Sequence, residues 1–142
     1  MCSSDLSLAL QADGTVVAWG FNNEGQVNVP VDLTNVIAIA ASGYHNLALK
    51  DDGSVVAWGS NGYNQSSVPN DLVDAIAIDV GYYHSLALKG DKTVVVWGAN
   101  HYGQTDVPAD LKDVVAIQTG YFHSLALKQD GTVVSWGRNN EG

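Results

Sequence analysis

Short apolar runs separated by small polar residues recur along this chain at a constant step. One group runs Val36-Ile37-Ala38-Ile39-Ala40, then His45 to Lys50, then Ser54 to Trp58. Such runs, rich in β-branched and aromatic residues and bounded by Gly, Asn and Asp, predict strands rather than helices. Gly43-Tyr44 predicts a turn, and Asp52-Gly53 a hairpin, because that pair tolerates positive φ. Gly59 to Gln65 reads as a loop. Ser66-Ser67-Val68 predicts a short fourth strand, ended by Pro69, which cannot donate to a ladder. Leu47 and Leu49 share one face of their strand and Ala48 takes the other. Neither LAL nor VVAW alternates with polar residues, so these sheets are expected to be covered on both faces.

The whole pattern repeats. Trp19, Trp58, Trp97 and Trp136 are spaced by 39 residues without a gap. His45, His84 and His123 keep that step, as do Pro30, Pro69 and Pro108, and Gln26, Gln65 and Gln104. HNLALKDDGSVVAW (45–58) and HSLALKQDGTVVSW (123–136) agree at 10 of 14 positions. A period of this size is the mark of a repeat architecture whose units cannot bury their faces alone. The expected fold is all-β: a β-propeller arc of about three and a half four-stranded blades. Its units are 7–35 (partial), 36–74, 75–113 and 114–142 (partial). The residue before each Gln is Gly25, Asn64 or Gly103, with Gly142 in the same register, so positive φ is expected there. Lys92 replaces the hairpin glycine of the other units, so its turn is expected to differ.

Charge narrows the partners. Fifteen acidic residues face six basic ones, a net charge of −9. A phosphate backbone or an anionic membrane is disfavoured; a protein partner, basic in character, fits better. Cys2 is the only cysteine, so no internal disulfide forms, and no apolar run approaches the ~20 residues of a membrane span. The compartment is not legible.

Candidate chemistry is sparse. The three histidines belong to different units and lack a Cys/His/Glu cluster, so hydrogen bonding between blades is expected rather than metal binding. In His84-Ser85 and His123-Ser124, adjacent strand residues point to opposite faces and cannot form a nucleophile–base pair. No cofactor is expected, and no enzyme. The tryptophans are expected in the core. Asp13, Asp52, Asp91 and Asp130 recur in the hairpins, where Asp bonds its own backbone. The expected interaction surface comprises Asp32, Asp71 and Asp110, repeated in the Pro-x-Asp-Leu loops, and Tyr63 and Tyr102, in the Asn-x-x-Gly-Gln loops.

GYYHSLALKGDKTVVVWGANHYGQ and GYFHSLALKQDGTVVSWG resemble the regulator of chromosome condensation repeat family, in a compact, bacterial-type form. The resemblance covers residues 7–142 and implies a seven-bladed propeller, of which this chain would be a fragment. Some members are guanine-nucleotide exchange factors for a small GTPase and bind chromatin. That activity is not carried over, because the matching residues are the shared structural ones and no basic tail is present. Residues 1–6 break the period: 39 before His45 stands Leu6. They also read as a translated sequencing adaptor, so they are expected to be non-native. About three and a half units remain, and a homodimer would bring the total near seven. The expected function is a protein-interaction scaffold. A carbohydrate-binding repeat protein is the alternative.

Overall fold

The computed structural model describes residues 6–138, and eleven strands and no helix lie among them. They are β1 (Leu6–Leu10), β2 (Val16–Gly20), β3 (Val36–Ala41), β4 (His45–Lys50), β5 (Val55–Gly59), β6 (Ala75–Val80), β7 (His84–Lys89), β8 (Val94–Gly98), β9 (Val114–Thr119), β10 (His123–Lys128) and β11 (Val133–Gly137). They form one two-stranded sheet, β1-β2, and three antiparallel three-stranded sheets, β3-β4-β5, β6-β7-β8 and β9-β10-β11. The expected fourth strand at 66–68 is absent. Two of its three N–H groups are already taken, since Ser66 donates to Asn61 Oδ1 and Ser67 to the Asn64 carbonyl, and Pro69 beyond them has none to give. The first-strand, second-strand and hairpin assignments hold.

The sheets stack face to face, and each of three hydrophobic cores lies at a junction between sheets. Val16 and Leu33 meet Val36, Ala48 and Trp58 at the first. Leu47, Leu49 and Val55 meet Ala75, Ala87 and Trp97 at the second. Leu86, Leu88 and Val94 meet Val114 and Ala126 at the third. Large leucines of one sheet thus meet the small central alanine of the next, which lets the sheets approach closely. Leu47, Leu49, Leu86 and Leu88 are essentially fully buried. Each contributes roughly 1.5–3 kcal/mol that its own sheet could not supply. The strands β3, β6 and β9 touch in turn, so the sheets fan out from a shared inner edge.

Two sequence expectations need correction. Trp58 and Trp97 are only 7 % exposed, but Trp19 is 53 % exposed. Burial follows from the unit before, not from the strand itself. Lys92 does not reshape its hairpin: its φ of 69° falls beside the 83° of Gly53 and the 88° of Gly131. The Lys92 N–H bonds the Lys89 carbonyl at 3.0 Å, as Gly53 bonds Lys50. The turn geometry is imposed, and lysine bears the left-handed strain. Gly25, Asn64 and Gly103 all adopt the expected positive φ; Gly142 and residues 1–5 lie outside the described residues.

Candidate functional site: an aromatic face

Every junction is locked by polar groups that the repeat places in register. His45 Nε2 lies 2.8 Å from Ser85 Oγ, forty residues on. Ser85 Oγ donates to the Gln65 carbonyl at 2.9 Å, and Trp97 Nε1 donates to the same oxygen at 2.9 Å. The serine proton is therefore committed, so His45 Nε2 donates and Nδ1 is free to accept from Ser42 Oγ at 3.2 Å. His84 and Ser124 repeat the contact at 3.2 Å. Burial lowers both imidazole pKa values from about 6.5 to about 4: desolvation is the main cause, joined for His45 by the neighbouring His84. A histidine–serine pair does come together here, across units. It is sealed from solvent and its hydroxyl points at a carbonyl, so it serves as a clasp. Among the described residues no group of three His, Cys, Asp or Glu side chains is placed to hold a metal.

The same register builds one end of the molecule. The turns at 42–44, 81–83 and 120–122 and the loops at 60–67 and 99–106 all emerge there. In each loop a buried glutamine reaches back to hold the backbone: Gln65 Oε1 accepts the Tyr63 N–H and Gln104 Oε1 the Tyr102 N–H, both at 2.8 Å. The side chains of Tyr63 and Tyr102 are thereby presented outward, 43 % and 45 % exposed. Gly98 has φ 112°, and a Cβ there would meet the Tyr83 carbonyl oxygen at 2.5 Å, so the chain passes tightly under the turn.

The two tyrosines are part of a larger surface that sequence reasoning missed. Tyr63 contacts Tyr83 at 5.0 Å between ring centroids and Tyr102 contacts Phe122 at 5.2 Å. Tyr44 stacks on Tyr83 at 5.1 Å, and Tyr82 stacks on Tyr121 at 4.1 Å. Tyr82 also meets Tyr44 and Phe122 edge-on, which joins the rings into one continuous patch. A hydrogen bond with Tyr44, then partial burial, raises the Tyr83 phenol above its ordinary pKa. The signal was present, because the two positions before each repeated His read Gly43-Tyr44, Tyr82-Tyr83 and Tyr121-Phe122.

Asp32, Asp71 and Asp110 lie elsewhere. They are exposed in the connections beside the hairpins, at the opposite end of the sheets from the tyrosines, so the expected surface divides in two. In the hairpins, Asp13, Asp52, Asp91 and Asp130 each accept a backbone N–H and a hydroxyl from the residue two places on. Those bonds lower the four carboxyl pKa values, and turn chemistry accounts for the residues.

The family model for the regulator of chromosome condensation (RCC1) repeat matches residues 36–65, 75–104 and 114–142, most of the chain. The chain belongs to this repeat family. Several solved structures share its architecture. Prp20p of Saccharomyces cerevisiae, described with its binding to Gsp1p and histones, is 29 % identical with a TM-score of 0.77 over 96 % of this chain and 42 % of its own. Yeast RCC1 (Prp20) bound to Kap60 superposes at 0.80 with 24 % identity, covering 94 % of this chain and 42 % of the other. Human WBSCR16 gives 0.77 at 25 % identity over 97 % and 46 %. The chain spans less than half the length of each. No curated protein matches the sequence.

Proposed function

We propose that this chain is a non-enzymatic, protein-binding propeller segment that receives its partner on the aromatic end. One observation carries the reading: outward-facing tyrosines of successive repeats merge into a single patch of packed rings, and buried glutamines hold the backbone of Tyr63 and Tyr102. Exposed, contiguous aromatic surface of this kind marks interaction sites. That Prp20p is described with protein partners supports it. The greater length of the relatives supports reading these sheets as part of a seven-bladed ring, completed by further repeats or a second copy. Guanine-nucleotide exchange rests on family resemblance only; no residue of the aromatic patch favours it over plain docking.

Selection of a displayed random peptide library on the chain tests the reading, with a Tyr63→Ser/Tyr102→Ser double variant as counter-target. A convergent peptide family that binds the parent and not the variant is expected. Peptides that bind both equally, or no convergence at all, would refute docking on this face. Glycan-array binding lost in Tyr63→Ala or Tyr102→Ala would assign the face to carbohydrate instead.

A further inference from the structure

We infer that the Tyr63–Tyr83 ring pair is a receptor for an arginine side chain of a protein partner. This deepens, and rests on, the reading of the aromatic end as a docking surface. The repeat itself displays the occupied form of such a site. The Arg138 guanidinium carbon lies 5.1 Å from the Tyr102 ring centroid and 5.6 Å from that of Phe122. Both distances fall within the ~6 Å at which a cation is held by the negative face of an aromatic ring. The two rings meet at 5.2 Å and 64°.

One repeat earlier the same cradle recurs. Tyr63 and Tyr83 stand 39 residues before Tyr102 and Phe122. Their rings meet at 5.0 Å and 60°. The supporting backbone is equivalent as well: the Arg138 N–H bonds the Phe122 carbonyl at 2.9 Å, and the Ala99 N–H bonds the Tyr83 carbonyl at 2.8 Å. The difference is one side chain. Where the later cradle has Arg138, the earlier has Ala99, which cannot reach the rings. Neighbouring rings flank the earlier site: Tyr44 stacks on Tyr83 at 5.1 Å, as Tyr83 in turn leans on Phe122 at 6.4 Å, and His101 stands edge-on to Tyr63 at 5.2 Å.

Charge favours a cationic guest. The chain carries −9, and Glu24 occupies the register of Tyr63 in the preceding unit. The five lysines, Lys50, Lys89, Lys92, Lys112 and Lys128, all sit at the hairpin end or in the connections beside it. Arg138 is thus the one cationic Lys or Arg at the aromatic end among the described residues. A planar guanidinium stacks on rings where an ammonium does not, so arginine is the guest assigned.

Site-resolved NMR decides the matter, using acetyl-Gly-Arg-Gly-amide as probe and its citrulline counterpart, which keeps the shape and removes the charge. The Tyr63 and Tyr83 ring resonances should move saturably with the arginine peptide, and at least about tenfold more weakly with citrulline. Tyr63→Phe should keep binding within about twofold, and Tyr63→Leu should weaken it by about fivefold or more. Arg138→Ala should open the later cradle, so that Tyr102 and Phe122 resonances respond too. Equal binding of the citrulline peptide, equal loss in Asp71→Asn, or silent Tyr102 and Phe122 rings in Arg138→Ala would each overturn the proposal. Library peptides that require Tyr63 yet lack arginine would overturn it while leaving protein docking intact. Displacement of the arginine peptide by maltohexaose would overturn it in favour of a sugar site.

Discussion

Two junctions of this molecule use the same positions and reach different results. Between the second and third sheets, His45, Ser85, Gln65 and Trp97 form a closed set in which every side-chain donor has a partner. Between the first and second, Asn46 replaces the serine. Its Nδ2 bonds the Gln26 carbonyl at 2.7 Å and Trp58 Nε1 shares that oxygen at 2.9 Å, but the fully buried Oδ1 finds no partner. The register explains why. An imidazole donor belongs at position 6, and Leu6 stands there. The comparison teaches that the clasp is a property of two units together: a residue can be right for its strand and still lack its counterpart.

The largest expected effect is on acid stability. Unfolded imidazoles bind protons near pH 6.5, while buried His45 and His84 do so only at about 4. Between those values the unfolded state holds more protons. The histidine contribution to stability therefore falls as pH drops through that window and levels off below it, by on the order of 3 kcal/mol for each histidine. Urea unfolding across that range should show the slope, and His84→Gln should roughly halve it; a flat profile would contradict the closed clasp.

Next come the tryptophans. Trp97→Ala should cost about 3–5 kcal/mol. Trp19→Ala, half exposed, should cost less than about 1 kcal/mol. Comparable losses in denaturant melts would mean that the junctions do not control burial. Leu6→His should supply the missing donor to Asn46 Oδ1 and stabilise the chain by about 1 kcal/mol. No gain, or the same gain in an Asn46→Ala background, would break the register argument. The smallest effect belongs to Lys92→Gly, which relieves a left-handed lysine and should add about 0.5–1 kcal/mol. A loss there would show that the Lys92 Nζ contact with Gln129 Oε1, at 2.6 Å, outweighs the strain.

Much of this was legible beforehand because a repeat prints its own alignment. Strand positions, hairpins and positive-φ sites follow from backbone rules that act within a few residues, and the strict period multiplies each signal. The extra fourth strand misled for the opposite reason. Val68 looks strand-like, but nearby Asn61 and Asn64 had already claimed two of the N–H groups a ladder would need.

The order of residues determined the unit, its period, the apolar faces and the family. Only the stacked structure decided which tryptophan is buried, which amide oxygen goes unsatisfied, and that Tyr44, Tyr63, Tyr82, Tyr83, Tyr102, Tyr121 and Phe122 form one surface. These are contacts between residues about 20 to 40 places apart. Their strength depends on distance and angle in space, which a one-dimensional pattern constrains only after neighbouring sheets have closed on each other.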